Sequence, residues 1–555
     1  MSIRTNKMKA VPVLLKQLMT TRSKFNERGR DESFDGKLEM LRLDLNKIKD
    51  VFVRVKKNEE ELLDILAEVH AHLCKLDCRK LGEDMNGICK RIRDSAHKLL
   101  PMDAFDDSSK EEDHKGGQSQ QLQQPHQKSW TRVDYEGLKN VPKECLSSLL
   151  IFPENAVIRK SNAINLWIGE GLVIDIENRT TREWGEHVIH DLLKYNVIVR
   201  YGKGKDPLIN KFQIPPSAYG QLESLVSKEN VEDPGQDRLE LAQKKVTLGD
   251  LHFGYSIRTV FNVGASYLNF RPQWIKEFMN LEVLQLGRWK DSPVHHIEVG
   301  SEDFLEELRN LTQLKYLSLR GISRIFKLPS SIVELERLLV LDLKACHNLE
   351  TLPNDISSMK SLTHLILSQC YLLEGMPNGI EKLKNLQVLK GFVISTPEKT
   401  PCRISDFVNL KKLTRLSIHI GSQAVIKDKD FESLSQIFTL DHLKISWSGS
   451  DPRYGNFQLS LPQNLRKLHL ECFPGKSFRE FLYDMRYLWK NMELKITGGK
   501  LASMEVDFEW WHVNILRLKY LKHLKVDIDD LKSFFPGLKY AEIKQVSEHI
   551  EHEWT

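Results

Sequence analysis

Leucines recur at a fixed spacing along the C-terminal part of the chain. The pattern L-x-x-L-x-L returns every 24 residues in its clearest copies, and weaker copies continue to residue 526. One repeat of this length cannot bury its own leucines, because each inward face is covered by the next repeat. The pattern therefore predicts a C-terminal α/β leucine-rich-repeat solenoid over residues 255–555. The clearest copies are Leu314-Leu317-Leu319, Leu338-Leu341-Leu343 and Leu362-Leu365-Leu367.

Residues 1–102 show a different period. Apolar residues follow one another at steps of three and four, which places them on one face of a helix. Such stripes begin at Leu38, Leu62 and Ile88, and a first helix falls near Val11–Met19. Four amphipathic helices of this kind predict an α-helical four-helix bundle.

Three further segments lie between the bundle and the repeat. Residues 103–130 are rich in Gln, Ser, Gly and charge, and too poor in apolar residues to bury a core, so they predict a disordered linker. Residues 131–217 combine amphipathic helices with the strand–turn–strand pattern "NVIVRYGKGKDPLINKFQI", which predicts a winged-helix domain. Residues 218–254 form a connector. The fold class expected is therefore multidomain.

Charge and composition narrow the class of protein. A net charge of +5 over 555 residues neither requires nor excludes nucleic acid. The candidate recognition helix "AINLWIGEGLV" has no Arg or Lys to read bases, so no nucleic-acid partner is expected. Apolar runs are too short for a membrane span, and eight scattered cysteines suit a reducing cytoplasm. The first helix is basic, which leaves weak peripheral contact with the plasma membrane open beside a solvated helix face.

No catalytic or metal site is predicted. His70, Cys74 and Cys78 share one helical face, but the Cys-x₂-Cys spacing of zinc sites is absent, which favours packed cysteines. No hydrolase, metalloprotease or kinase signature occurs in the chain. The sequence thus predicts a non-enzyme with no catalytic, cofactor-binding or metal-binding residues.

The repeat does offer a binding surface. Residues that flank the inward leucines face the concave side of the solenoid, and toward the C-terminus they are basic and rich in histidine. This pattern predicts a protein partner with an acidic surface, and tighter binding at mildly acidic pH as the histidines become charged. A solvated strand face is the alternative. The predicted partner-binding residues are Tyr316, Arg320, Lys344, His364, Arg415, His442, Lys444, Lys467, His469, Lys495, His523 and Lys525.

The stretch "CLSSLLIFPENAVIRKSNAINLWIGEGLV", residues 145–173, resembles the winged-helix (ARC2) segment of plant coiled-coil NLR disease-resistance proteins. The N-terminal helices resemble the Rx-type coiled-coil domain of that family, and the Leu-Pro turns of the repeat resemble its leucine-rich repeat. The positions that carry the winged-helix motif are Cys145, Phe152, Pro153, Leu166, Trp167 and Gly171.

The chain also departs from the family pattern. The phosphate-binding motif G-x-x-x-x-G-K-[ST] does not occur, and the linker at 103–130 stands where the nucleotide-binding and first ARC subdomains are expected. The family's Met-His-Asp segment aligns with Ile214-Pro215-Pro216, which has no imidazole or carboxylate. These departures predict that no nucleotide cofactor is bound.

The resemblance implies an NLR-like plant immunity protein that acts by protein–protein interaction without a nucleotide switch. In this interpretation the repeat recognises a pathogen or host protein, and the helical bundle pairs with a partner such as a full-length NLR receptor or a kinase. Two alternatives stay open: a non-immune leucine-rich-repeat scaffold or adaptor, and a residual ADP/ATP-binding switch. The expected location is the cytoplasm, with the plasma-membrane contact open as above.

Overall fold

A computed structural model describes residues 137–554 with short gaps, together with scattered positions before residue 92. Within these parts the chain forms a winged-helix domain and a leucine-rich-repeat solenoid, which confirms both predictions. The gaps are residues 176–178, 203–205, 230–236, 250–255, 291–296, 422, 427–429, 449–457, 480, 482–490, 505–511, 527 and 547–549.

Most of residues 1–102 lies outside the described residues, so the four-helix bundle stays a prediction. The positions that are described there are helical. Buried apolar side chains among them include Leu14, Leu41 and Val69. His70 is described and Cys74 and Cys78 are not, so the candidate metal stripe is also outside the described residues, as is the linker at 103–130.

The winged-helix domain has four helices and a small antiparallel sheet. The second helix is buried on all sides from Ala163 to Gly169, where Asn165 is its only polar residue. The third helix begins with a capping box between Thr180 and Glu183. The sheet has the strand order β1-β3-β2, and the turn after β2 is the wing. The elements are α1 (Asn140–Leu149), β1 (Ile158–Arg159), α2 (Lys160–Gly169), α3 (Thr181–Lys194), β2 (Val199–Arg200), β3 (Lys211–Gln213) and α4 (Pro216–Glu229).

The repeat is built on one long sheet whose strands are parallel apart from the last pair. The order along it is β20-β19-β18-β17-β16-β15-β14-β13-β12-β11-β10-β8-β6-β4, and β5, β7 and β9 form a second, three-stranded sheet. The strands are β4 (Arg238–Leu241), β5 (Lys245–Leu248), β6 (Thr259–Asn262), β7 (Tyr267–Phe270), β8 (Val283–Gln285), β9 (Glu298–Val299), β10 (Tyr316–Ser318), β11 (Val340–Asp342), β12 (His364–Ile366), β13 (Val388–Ile394), β14 (Arg415–Ile420), β15 (His442–Trp447), β16 (Lys467–Phe473), β17 (Met492–Gly499), β18 (Val513–Lys519), β19 (Tyr540–Val546) and β20 (Ile550–Trp554).

Short helical turns connect many of these strands. Several follow the recurrent Leu-Pro turns, where proline fixes the backbone angle for the first position of the turn. Two are α-helical, α5 (Phe304–Glu307) and α6 (Ile528–Phe534). The 3₁₀ turns are Trp274–Phe278, Leu308–Asn310, Ser330–Glu334, Ile356–Ser358, Ile380–Lys382, Ile404–Asn409 and Glu432–Gln436.

The predicted leucine column is observed as a ladder through the sheet. Leu317 pairs with Leu341, which pairs with Leu365, and the same register continues through Leu443 to Leu494. These side chains are fully buried, as the repeat pattern requires. The sheet also extends beyond the predicted start at residue 255, because β4 pairs in parallel with β6.

The last repeats differ from the sequence-based assignment. The pattern at residues 521–526 was expected to form a strand, yet the strand that pairs with β17 is β18, where Leu516 continues the ladder after Leu494. His523 and Lys525 lie after β18 and are exposed. Their predicted place on a concave strand is therefore wrong.

Candidate interaction surface on the concave face

The sequence motif of the winged helix forms the core that orients α2. Trp167 is fully buried, and its indole Nε1 donates to the carbonyl of Cys145 at 2.9 Å. Gly171 adopts a left-handed conformation with φ of 75°, and the amide of Leu172 donates back to the carbonyl of Trp167 at 2.9 Å. This closure ends α2, since glycine reaches that conformation without strain.

The other motif residues lie on both sides of this core. Leu166 is buried, whereas Pro153 is exposed at the tight corner before β1. Phe152 packs edge-on against Phe261 and Trp289, with ring centroids 5.1 and 5.2 Å away. Because Phe261 and Trp289 belong to the repeat, the motif connects the two domains as well as filling the first one.

Helix α2 lies directly on the concave face of the first repeats. Gly169 sits so close that a Cβ atom there would be 2.5 Å from the Cβ of Tyr316 and 2.9 Å from the Cγ2 of Val283. Val283, Tyr316 and Val340 share one apolar cluster with the winged-helix core. The N-terminal half of the concavity is thus occupied by the chain's own winged helix.

A second contact joins α3 to the middle of the repeat. Glu186 accepts from Arg415 at 3.2 Å and lies 3.3 Å from Lys160 and 3.5 Å from Arg182. Burial alone would raise the pKa of Glu186, but these three cations outweigh it and lower the pKa. The carboxylate is therefore held ionised between the two domains.

Beside it, Asp175 and Gln387 form a polar contact between the same two domains. Gln387 donates to both carboxylate oxygens of Asp175 at 2.9 and 3.0 Å, and it accepts from the hydroxyl of Thr181 at 3.1 Å. The two contacts anchor α3 over β13 and β14.

The third contact is made by the wing. Asp206 accepts from the Nη2 of Arg517 at 2.7 Å, although the two residues are 311 positions apart in the sequence. Arg517 also donates to Glu493 and to Glu542, each at 2.8 Å, and its guanidinium lies 5.2 Å from the ring of Tyr540. One buried cation therefore holds three carboxylates from two domains.

Five of the predicted partner-binding residues lie beneath or against the winged helix. Tyr316 and Arg320 are buried, and Arg320 donates to Asn162 of α2 at 3.4 Å. Burial lowers the pKa of Lys344 and of His364 well below the usual values. Arg415 is the partner of Glu186. A protein partner cannot reach these five residues in this arrangement.

The C-terminal half of the concave face is different. His442 contacts Asp441 at 2.6 Å at its inner edge. Beyond it, Lys444, His469, Lys495 and Arg517 occupy one row in register on β15 to β18, so two lysines and an arginine share this row with one histidine. Neighbouring strands are about 4.8 Å apart, so the positive charges lie close together. The C-terminal patch is defined as Lys444, Lys467, His469, Lys495, Arg517 and Lys519.

Carboxylates pair with most of this patch. Lys444 lies 2.6 Å from Glu471, Lys467 lies 2.6 Å from Glu493, and Lys519 lies 2.7 Å from Glu542. In the described part of the chain, no carboxylate lies within ion-pair distance of Lys495. Burial, followed by the nearby charges of Lys519 and Lys467, lowers the pKa of Lys495 to about 8, although the carboxylate of Glu471 opposes the shift. Lys495 is therefore the lysine of the patch that has no direct ion pair among the described residues.

The histidines do not supply that charge. Burial lowers the pKa of His442 to about 4, even though Asp441 opposes the shift. Burial, with Lys444 and Lys495 nearby, lowers the pKa of His469 well below its usual value. Both rings stay neutral at mildly acidic pH, so the expected gain of positive charge there is wrong.

Arg517 and Lys519 are the concave residues that the sequence analysis missed. The stretch "NILRLKYLKHLKV" contains two overlapping leucine patterns, and only the first is in register with β17. Leu516 follows Leu494 by 22 residues, close to the spacing of the earlier repeats, whereas Leu524 follows it by 30. Repeat length was the signal that could have separated them.

No helix among the described residues is both long and apolar enough to cross a membrane.

Comparisons with known families agree with both domains. Residues 151–214 match the family described as the disease resistance protein winged helix domain, and residues 257–481 match the family described as a leucine-rich repeat region. Disease resistance RPP13-like protein 4 of Arabidopsis thaliana is 26% identical over 432 residues, which cover 74% of this chain and 49% of the relative. The chain thus spans about half the length of the curated relative that it matches.

Solved structures show weak similarity. The Arabidopsis receptor kinase HAESA, in complex with the peptide hormone IDA and the co-receptor SERK1, is 17% identical with a TM-score of 0.28, over 45% of this chain and 43% of its own. The plant peptide hormone receptor RGFR1 is 15% identical with a TM-score of 0.27, over 52% and 51%. The functional domain of InlJ from Listeria monocytogenes is 12% identical with a TM-score of 0.26, over 52% and 68%.

The winged-helix match, the repeat match and the curated relative agree with one another along the chain. On their evidence the chain is similar to the RPP13-like disease-resistance proteins of plants.

Proposed function

We propose that this chain acts in plant immunity by binding another protein on the C-terminal patch of its repeat. The observation that carries the proposal is the row formed by Lys444, His469, Lys495 and Arg517 on successive strands, in which Lys495 has no carboxylate within ion-pair distance among the described residues. Such a surface favours an acidic partner, since complementary charge speeds association and excludes basic competitors.

The winged helix limits where that partner binds. It covers Tyr316 and Arg320 and pairs with Arg415, so the partner surface is confined to the repeats after β14. The partner is a pathogen protein or a host protein such as a full-length NLR receptor or a kinase. The N-terminal helical bundle provides a second, pairing surface. The site of action is the cytoplasm, with the basic first helix able to rest on the plasma membrane.

This function needs no nucleotide switch, and the missing phosphate-binding motif supports that part of the proposal. Equilibrium binding of labelled ADP and ATP to the purified full chain separates the two possibilities. Micromolar binding of either nucleotide would support the residual switch instead.

The charge test compares two triple variants. Lys444→Glu, Lys495→Glu and Lys519→Glu together reverse the patch. Proximity labelling in infected and uninfected plant tissue should then lose acidic neighbours that the unchanged protein captures. Neighbours that are equally labelled in the patch variant would contradict the proposal, and neighbours unrelated to defence would favour the scaffold alternative.

The control variant carries the same charge change elsewhere. Lys360, Lys384 and Lys411 are exposed lysines whose ammonium groups donate to backbone carbonyls in the connecting turns, at 2.5, 3.2 and 2.9 Å. Changing these three to Glu should leave the labelled neighbours unchanged.

A further inference from the structure

Lys390 lies on the concave face of the repeat, near the place where α3 packs on it. It stands on β13, and its side chain is half-buried. Among the described residues, no carboxylate lies within ion-pair distance of Lys390. Burial, followed by the charges of Arg182 and Arg415, lowers the pKa of Lys390 well below its usual value, although Asp342 opposes the shift. More of this amine is therefore uncharged, with a reactive lone pair, than in an ordinary lysine.

Two arginines near Lys390, Arg182 of α3 and Arg415 of β14, have N–H groups to donate. In the described part of the structure, the Nε atom of each is buried without a hydrogen-bond partner. Glu186 accepts from Nη2 of Arg415 at 3.2 Å, and it lies 3.5 Å from Nε of Arg182 without forming a hydrogen bond to it. Buried donors without acceptors are costly, so these two N–H groups mark a place for one more acceptor.

His364 of β12 is a neutral neighbour of this lysine. The hydroxyl of Thr363 donates to the carbonyl of Leu339 at 2.9 Å, so its oxygen accepts from Nδ1 of His364, also at 2.9 Å. The ring therefore has a lone pair on Nε2, which is buried and has no hydrogen-bond partner among the described residues. Burial, followed by the charges of Arg182 and Lys390, lowers the pKa of His364 well below its usual value. Arg182 and Arg415 are thus the charged groups that a new acceptor meets.

We infer that Lys390 is a modification site at which carbon dioxide forms a carbamate. The lone pair of the neutral amine bonds to the carbon of carbon dioxide, the π electrons of one C=O bond move to oxygen, and the nitrogen gives up one proton to water. Amine and carbon dioxide thus yield an N-carboxylate and a proton, with no change of oxidation state. The two carbamate oxygens supply acceptors for Nε of Arg182 and Nε of Arg415, and the new negative charge lies near both cations.

Lys495 provides a comparison within the same chain. Burial lowers its pKa as well, to about 8, and no carboxylate lies within ion-pair distance of it among the described residues. The cations around Lys495 already hold carboxylates, however, since Lys444 and Lys467 each lie 2.6 Å from one. A carbamate on Lys495 would compete with these carboxylates for the same cations. Lys390 should therefore be the more readily modified of the two lysines.

The test uses the purified full chain with carbon-13-labelled carbon dioxide and bicarbonate near neutral pH. Triethyloxonium ion converts carbamates into stable ethyl esters, so peptide mass spectrometry then locates the label. The labelled fraction at Lys390 should exceed that at Lys495 at least roughly tenfold, because one nearby opposite charge shifts such an equilibrium by about one to three powers of ten. Lys384, an exposed lysine whose ammonium group donates to the carbonyl of Glu381 at 3.2 Å, gives the background.

Matched variants test the residues of the site. Lys390→Arg keeps a cation on β13 but has no nucleophilic amine, so the label on this peptide should fall to background. Arg415→Gln should lower the labelled fraction at Lys390 roughly tenfold, because it removes one stabilising charge. The control is Arg258→Gln, which removes an exposed arginine that pairs with Glu282 at 2.9 Å and should leave the label unchanged.

Three results would overturn the inference, and each can be read on the unchanged chain. Absence of label from Lys390 would exclude the carbamate. Equal labelling of Lys390 and Lys495 would show that the arginines contribute nothing. A melting temperature that rises with bicarbonate while Lys390 stays unlabelled would mean that the arginines hold a free anion instead.

Discussion

Replacing Arg517 with methionine should loosen the C-terminal repeats without unfolding the first ones. The substitution keeps an apolar stem of similar length and removes the guanidinium. Glu493 and Glu542, whose side chains are 3% and 9% exposed, then lose a shared cation. Lys467 and Lys519 remain beside them, so each carboxylate keeps one partner.

The size of the effect follows from burial. Removing one partner of a buried ion pair costs about 3–5 kcal/mol, because the remaining charge stays away from water. Because Glu493 and Glu542 each keep one lysine partner, we expect a loss of stability at the lower end of this range, about 3 kcal/mol. Opening of β17 to β19 should therefore become roughly a hundredfold more frequent, at 1.4 kcal/mol for each factor of ten.

Hydrogen-exchange mass spectrometry at pH 7 measures this directly. Peptides from β17 to β19 should exchange roughly a hundredfold faster in Arg517→Met, while peptides from β10 to β12 serve as an internal control. The matched variant is Lys532→Met, which removes a cation paired with Asp529 at 3.7 Å on the exposed surface and should change exchange little. Equal exchange in Arg517→Met and the unchanged chain would refute the argument.

The pH dependence gives a second check. Burial alone would raise the pKa of Glu542, but Lys519 and Arg517 outweigh it and lower the pKa to about 2, below the usual value of 4.5. A lowered carboxylate pKa stabilises the fold above pH 4.5 and loses that effect as the pH falls toward 2. In urea denaturation, the stability gap between Arg517→Met and the unchanged chain should therefore narrow over this range. A gap that is constant from pH 7 to pH 2.5 would contradict the assignment.

Two further predictions concern the domain contact and the unpaired lysine. Gly169→Ala should separate the winged helix from the repeat, because the new Cβ would be 2.5 Å from the Cβ of Tyr316. Small-angle X-ray scattering should then give a larger radius of gyration. Gly220→Ala is the control, because a Cβ at Gly220 would have no neighbouring atom within 4 Å. Lys495→Met should raise the free energy of unfolding at pH 7. The pKa of Lys495 is lowered from 10.5 to about 8 in the folded chain, so the charged amine destabilises the fold. The gain from Lys495→Met should therefore shrink as the pH rises from 8 to 10.5 and the amine loses its charge. Urea denaturation at pH 8 and at pH 10.5 measures this gain, and an equal gain at both pH values would refute the prediction for Lys495.

The sequence was most informative where the fold is periodic. The spacing of the leucines predicts the ladder formed by Leu317, Leu341 and Leu365, because each leucine must be covered by the same position of the next repeat. The winged helix was predicted as well, because amphipathic helices followed by a strand–turn–strand pattern are local features of the sequence. Both follow from short-range rules.

The contact between the domains was not predicted, because it depends on residues far apart in the chain. Four apolar residues on the concave strands nevertheless indicated that this part of the face is covered. Phe261, Val283, Tyr316 and Val340 stand at concave positions that should be polar in a solvated face, and they are apolar where α2 covers them. The whole concave column was predicted to be open to a partner, whereas the winged helix occupies its N-terminal half.

The bond between Asp206 and Arg517 also has a consequence for how the protein is made. A ribosome that adds about 5–20 residues each second needs roughly 15–60 s to travel the 311 residues between them. During that interval Asp206 cannot pair with Arg517, because β18 has not yet been synthesised. A transcript whose coding region ends before β18 would encode a protein in which Asp206 lacks its partner Arg517.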